Sequence, residues 1–242
     1  MTAPRFGIWK PLPEHASQGR IRPTQMIAHS IVGSARGAYN YFRDSTNIES
    51  HWITTKAGEV WQLMDADRQA DANYLANRRP DGTGALSNET EDNGNPDRDP
   101  WTHAQIQALI DWFRWGHDTF GIPLEVCRTH DAPGIGYHTL HPNHWTNVRG
   151  KTCPGVVRKQ QFHDLIVPAL RHTPAKPEEL DLYGTEVIAA YGEAGYLLAT
   201  LHPDKLAQHW RDIRAWTHAI YAKPEHERAG GVAYIRAQLG LP

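Results

Sequence analysis

Gln25-Met26-Ile27-Ala28-His29-Ser30 is a short apolar run that ends in a histidine. Consecutive apolar residues over so short a span predict a buried strand, and its last residue carries chemistry. Working outward, His51-Trp52-Ile53-Thr54-Thr55 and Val60-Trp61-Gln62-Leu63-Met64 are rich in strand formers and flank Lys56-Ala57-Gly58-Glu59, which predicts a hairpin. Leu86 to Glu91 reads as a further strand closed by Asn93-Gly94-Asn95-Pro96, and Leu124 to Thr129 as another. After Pro100, Thr102 and Gln105 have capping-box spacing. Ile106, Leu109, Ile110, Phe113 and His117 recur at helical intervals, and Gly121 is placed to stop the helix. A second helix is predicted from Val156 to about Leu170. Strands and helices alternating in this way predict an α/β class, with a mixed central β-sheet flanked by helices.

The chain has 242 residues and a formal net charge of −2, with 40% hydrophobic and 21% charged residues. That balance excludes bulk disorder and argues against a basic nucleic-acid-binding surface. No stretch approaches the ~18 apolar residues of a membrane span, so no membrane insertion is expected. The opening Met1-Thr2-Ala3-Pro4-Arg5-Phe6-Gly7 lacks the apolar core of a signal peptide, which predicts synthesis in a cytoplasm. His172-Thr173-Pro174-Ala175-Lys176-Pro177 reads as a linker, dividing a domain of residues 1–171 from a small helical C-terminal unit of residues 178–242. Tyr183, Tyr191, Tyr196, Trp210 and Trp216 lie in that unit. Aromatics at helical spacing serve a core more often than a sugar platform; a targeting role is the functional alternative.

Two cysteines, Cys127 and Cys153, form no disulfide framework, whereas histidine is frequent at 15 residues. Four histidines, His130, His138, His141 and His144, fall in one run. The sharpest local signal is Gly150-Lys151-Thr152-Cys153-Pro154-Gly155, a cysteine in a tight turn just before a helix. Cys153, His29 and one of the clustered histidines would give a His₂Cys set, and three protein ligands with an open fourth position is the pattern of a catalytic zinc site. Single buried cysteines are more often inert, and Cys127, inside an apolar segment, is an example.

These pieces resemble, in order, the type 2 N-acetylmuramoyl-L-alanine amidases, whose fold is shared with peptidoglycan recognition proteins and T7-type phage lysozymes. Met26-Ile27-Ala28-His29-Ser30 is similar to the strand with the first ligand. Ser50-His51-Trp52-Ile53 and Gly58-Glu59-Val60-Trp61-Gln62-Leu63 resemble the next strands, and Ser87-Asn88-Glu89-Thr90-Glu91 resembles the strand bearing an inward glutamate. Gly134-Ile135-Gly136-Tyr137-His138, Trp145 and Lys151-Thr152-Cys153-Pro154-Gly155 resemble the end of the site in endolysins of actinobacterial phages.

The resemblance implies Zn2+ held by His29, His138 and Cys153, with Glu89 as general base and Lys151 as partner of the developing oxyanion. It implies a peptidoglycan substrate and hydrolysis of the amide between N-acetylmuramic acid and L-alanine. A phage endolysin would be made in the host bacterial cytoplasm and reach the wall through holin-type pores. A cell-wall recycling amidase and a non-catalytic peptidoglycan-binding module are the alternatives; binding-only members typically lack the cysteine ligand. His130 is the rival of His138 for the second ligand, and His138 is favoured by the Gly-Ile-Gly-Tyr-His string, whose glycines would let the backbone bend toward the site. Glu91, on the same face as Glu89 by period two, is the rival base. His51 and Glu59 are expected to be structural or solvated. Three departures stand out: Ser50 replaces a tyrosine, Asn88 replaces an apolar residue, and Gln69-Ala70-Asp71-Ala72-Asn73 stands where a Trp-His-Ala-Gly motif is common.

Overall fold

A computed structural model describes residues 4–45 and 49–171. The linker and the helical unit expected at 172–177 and 178–242 lie outside the described residues.

Six strands form one mixed sheet in the order β1-β4-β3-β5-β2-β6. They are β1 (Ile8–Trp9), β2 (Arg22–Ser30), β3 (Trp52–Thr54), β4 (Val60–Gln62), β5 (Thr83–Thr90) and β6 (Gly134–Tyr137). Only β3 and β4 pair antiparallel, as the hairpin around Lys56–Glu59 requires; every other neighbour is parallel. β2 sits between β5 and β6, so three parallel strands deliver their carboxyl ends to one place. In open α/β sheets that end is where ligands are held.

Alternation along β2 sorts its side chains between two layers. Met26 and Ala28 join Trp52, Leu86 and Ile135 beneath α2 (His103–Phe120), whose Leu109, Trp112 and Phe113 are buried in the same cluster. Burying each of these large side chains contributes roughly 1.5–3 kcal/mol. Ile27 faces the other way, with Ala85 and Trp145. On that second face Ile53 packs with Ala35, Ala38 and Phe42 of α1 (Ala35–Arg43). Helices therefore cover a mixed central sheet, and α/β is the observed class.

The helix after Pro100 has the expected ends. Thr102 Oγ1 accepts from the Gln105 N–H, and Gln105 Oε1 accepts from the Thr102 N–H, each at 3.1 Å. Gly121 closes it at φ 70°. The segment expected as one helix from Val156 is α3 (Val156–Gln161), a π-helical stretch (Phe162–Ile166) and α4 (Val167–Arg171).

Two local expectations are corrected. Leu124–Thr129 is not a strand: Val126 makes a single bridge to Ile135, after which the chain bends. The glycines of Gly134–Tyr137 do not make a sharp bend; they form β6, register-paired with Gln25–Ala28. Gly136 is needed there for close approach, since a Cβ would lie 2.7 Å from the Trp145 ring. Two elements carry no clear sequence signal, α1 and the two-residue β1.

Candidate functional site

The sheet supplies two side chains to the site. His29 lies one residue from the end of β2, and Glu89 is its register partner on β5. Equal register on parallel neighbours puts both side chains on the same face. His29 Nδ1 lies 3.4 Å from Glu89 Oε1. His138 follows β6 directly, and its N–H donates to Ala28 O at 3.1 Å, which extends the ladder by one residue. The rings of His29 and His138 have centroids 4.1 Å apart.

Cys153 comes from the loop before α3. The Ser30 N–H donates to its Sγ at 3.3 Å, and Thr139 Oγ1 donates to its carbonyl at 2.7 Å. Gly155 then starts α3 at φ 107° against the chain at Pro96, where a Cβ would lie 2.0 Å from the Pro96 carbonyl oxygen. Any other residue there would displace the loop that carries Cys153. Ligand-capable atoms of His29, His138 and Cys153 all lie within 4.8 Å of one another. All three residues are buried, whereas the Glu89 side chain is 14% exposed. A cleft of about 340 Å³ opens beside Glu89, lined by Ser30, Val32, Ser34, Tyr41 and Phe42 among others.

Both histidines turn the same nitrogen to the cluster. His138 Nε2 faces Trp145 O at 2.9 Å and His29 Nε2 faces Asn73 Oδ1 at 2.8 Å. A backbone carbonyl only accepts, so His138 carries its proton on Nε2. Its Nδ1 lone pair is then buried without a hydrogen-bond partner. A buried orphan of this kind calls for a ligand. Two neutral imidazoles and a thiol within reach form a donor set suited to Zn2+, so these residues fit the metal that the resemblance implies.

Electrostatics oppose charge throughout this pocket. Burial holds His29 well below its ordinary value, and the neighbouring His138 adds to that. Burial, then the Lys151 charge, takes His138 down to about 3. Burial and the Glu89 carboxylate push the Cys153 thiol up to about 12. Burial raises Glu89 to about 7, with Lys151 pulling the other way. Two neutral histidines and a protonated thiol leave the cluster without positive charge, which a divalent cation would provide. Lys151 is exposed, and its charge is felt by His29, His138, Glu89 and Cys153 alike.

The rival residues have other partners. His130 is exposed and stacks on His144 with centroids 3.7 Å apart, while its carbonyl accepts from Gln25 Nε2 and Trp145 Nε1. His141 Nε2 faces Cys127 O at 3.1 Å. Glu91 accepts from the Ala35 and Lys56 N–H groups at 3.1 and 2.9 Å, so its carboxylate ties down α1 and the β3–β4 turn. His51 is buried, takes the Ser87 N–H on Nδ1 and faces Arg68 O with Nε2. Glu59 accepts from Trp61 Nε1 at the surface.

Sequence reading gave no role to a supporting set behind the cluster. Thr90 Oγ1 donates to His29 O at 2.5 Å and accepts from Trp101 Nε1 and Arg158 Nη1 at 2.7 and 2.9 Å. The buried Arg158 guanidinium also donates to Asp99 O and Glu91 O. Thr90 and Arg158 thus tie the carboxyl ends of β2 and β5 to α3. The only sequence signal was Thr90 at the end of a strand and an arginine in an amphipathic helix.

Two solved structures share the fold. The N-acetylmuramoyl-L-alanine amidase LysC from Clostridium intestinale URNW is 15% identical, with a TM-score of 0.50 over 70% of this chain and 100% of its own. A point-mutant structure of PlyL is also 15% identical, with a TM-score of 0.52 over the same shares. No curated protein sequence matches the chain. The family model described as N-acetylmuramoyl-L-alanine amidase, Amidase_2, matches residues 19–156. That span is more than half of the chain and contains His29, Glu89, His138 and Cys153. The chain belongs to the Amidase_2 family of N-acetylmuramoyl-L-alanine amidases.

Proposed function

We propose that the chain is a zinc-dependent hydrolase that cleaves the amide between N-acetylmuramic acid and L-alanine in peptidoglycan. The observation that carries this is the convergence of the two Nδ1 atoms and the Cys153 thiol beside a single carboxylate, Glu89, on the wall of an open cleft. His29, His138 and Cys153 would hold the metal. Bound there, Zn2+ would supply Lewis acidity, lowering the pKa of a water toward ~7 and polarising the scissile carbonyl.

The chain's own groups do the rest. Glu89 takes the proton of the attacking water as its oxygen bonds to the carbonyl carbon. The same carboxyl then returns the proton to the nitrogen as the C–N bond breaks. The products are a carboxylate on the muramic acid side and the L-alanine ammonium, which takes up the second proton of the water. The Lys151 ammonium stabilises negative charge on the carbonyl oxygen. Burial that raises the Glu89 pKa suits a group which must both accept and donate a proton near neutrality.

The finer reading is a phage endolysin, supported by the likeness of Gly134–His138 and Lys151–Gly155 to enzymes of actinobacterial phages. Release through holin-type pores belongs to that reading. No helix among the described residues is long and apolar enough to cross a membrane. Wall targeting by residues 178–242 is proposed from their aromatic content behind a proline-containing linker. The test is digestion of purified cell walls with end-group analysis, together with metal analysis of the protein. New L-alanine amino termini without new reducing ends, and about one zinc per chain, are expected. Reducing ends alone would overturn the amidase reading, and binding without cleavage would favour the non-catalytic module.

A further inference from the structure

We propose that Asn73 is a positioning residue: its side-chain carbonyl fixes His29 in the Nε2–H tautomer and so keeps the Nδ1 lone pair directed at His138 and Cys153. Its consequence for metal affinity rests on the zinc site proposed above.

The two histidines of the cluster face the same tautomer choice, and the fold settles it differently for each. For His138 the acceptor is a backbone carbonyl, Trp145 O. For His29 it is a side chain, Asn73 Oδ1 at 2.8 Å. An amide can present either end, so its orientation must come from its other contacts. Asn73 Nδ2 faces Ala85 O at 3.4 Å, and that carbonyl can only accept. The NH₂ group therefore points to Ala85 and the oxygen to His29. Asn73 is completely buried, and its backbone N–H donates to Asn77 Oδ1 at 2.6 Å, so the side chain is held at its root as well.

The alternative tautomer has a ready partner. With the proton on Nδ1, His29 would donate to Glu89 Oε1, already 3.4 Å away. That arrangement removes a ligand lone pair and occupies the proposed base at once. Asn73 opposes it by offering Nε2–H an acceptor at full hydrogen-bond distance, 2.8 Å against 3.4 Å for Nδ1 to Glu89. The residue comes from Gln69–Asn73, the stretch that departs from the common Trp-His-Ala-Gly motif.

The test uses the full chain and two readouts besides activity. Long-range ¹⁵N–¹H NMR of the metal-free protein, with His29 assigned by comparison with His29→Gln, should show Nε2–H in the wild type and a gain of Nδ1–H in Asn73→Leu. Zinc affinity by chelator competition should fall by roughly 10–100-fold in Asn73→Leu, as for other partners of metal-bound histidines. Asn73→Asp keeps an acceptor at the same place and should stay much closer to wild type. An Nδ1–H tautomer at His29 in the wild type would overturn the proposal without any variant, even if Asn73→Leu did not fold. Wild-type affinity in a folded Asn73→Leu would overturn it too. A wild type that binds no zinc would instead defeat the metal reading, while the NMR arm would still decide the role of Asn73.

Discussion

His29 and Glu89 face each other across neighbouring parallel strands, imidazole Nδ1 to carboxylate oxygen at 3.4 Å, yet they are not built as an ion pair. Burial lowers the histidine and raises the carboxyl, so charge is penalised on both sides. In the proposed reaction the closeness would serve a shared target: one lone pair for a cation, one oxygen for the proton of a water beside it. Glu89→Gln keeps the shape and loses the proton acceptor. Zinc stoichiometry should stay at the wild-type level while turnover of cell walls falls by ~10²–10⁴. Near-normal turnover would take the base role away from Glu89.

Cys153→Ser and His138→Ala each remove one of the three proposed ligands. Both should lose most bound zinc, and prolonged chelation should bring the wild type to the same inactive state, reversed by added Zn2+. His130→Ala changes a ring that stacks on His144 at the surface and should keep its metal. Metal analysis after dialysis separates the two outcomes. Zinc retained in His138→Ala and lost in His130→Ala would reverse the assignment.

Legibility in the sequence followed how local each signal was. Met26–Ala28 could be read because one strand holds its own apolar run, and Thr102–Gln105 because a capping box closes within four residues. The strand β6 was hidden by its glycines: Gly136 makes room for the Trp145 ring nine residues further on, and Gly134 for the Glu125 carbonyl oxygen nine residues before it. Val126 and Cys127 look like strand residues, but the chain pairs there only once, with Ile135. The helix α1 mixes Gly37 and Asn40 with a narrow buried stripe of Ala35, Ala38 and Phe42, in which only Phe42 is a large apolar side chain. Asn73 could not be read at all, since its partner His29 is 44 residues away and an asparagine in a loop usually serves a turn.

Arg158 should matter more for stability than its place in a short helix suggests. Its side chain is buried at 1% exposure and donates to Asp99 O, Thr90 O, Thr90 Oγ1 and Glu91 O. Arg158→Met fills much of the volume but leaves Asp99 O without that donor. A loss of about 1–3 kcal/mol is expected. Arg158→Lys should not restore it, because one ammonium cannot span acceptors that a planar fork reaches together. Denaturant unfolding with an unchanged slope would measure the difference, and a midpoint shift near zero would show that the network contributes little.

Glu49 should give a pH signature that is separate from the His29–His138–Cys153 cluster. Its side chain is buried, and burial first, then the neighbouring Asp71 carboxyl, raises it from 4.5 to about 7. A carboxyl raised in the folded state keeps a proton that the unfolded chain has already released. Between those two values the folded state therefore binds more protons, and stability falls as pH rises. Below 4.5 both states are protonated and the penalty vanishes; above about 7 it is fully present. His51 works in the opposite sense, since burial depresses it to about 4 and its contribution is lost as pH falls from 6.5. Comparing Glu49→Gln with the wild type cancels the histidine contribution and leaves the titration of the carboxyl site that Glu49 shares with Asp71. The Tm of Glu49→Gln relative to wild type should climb from about pH 5 to about pH 8 and then level off. A difference that stays flat across that range would mean that Glu49 titrates as an ordinary surface carboxylate.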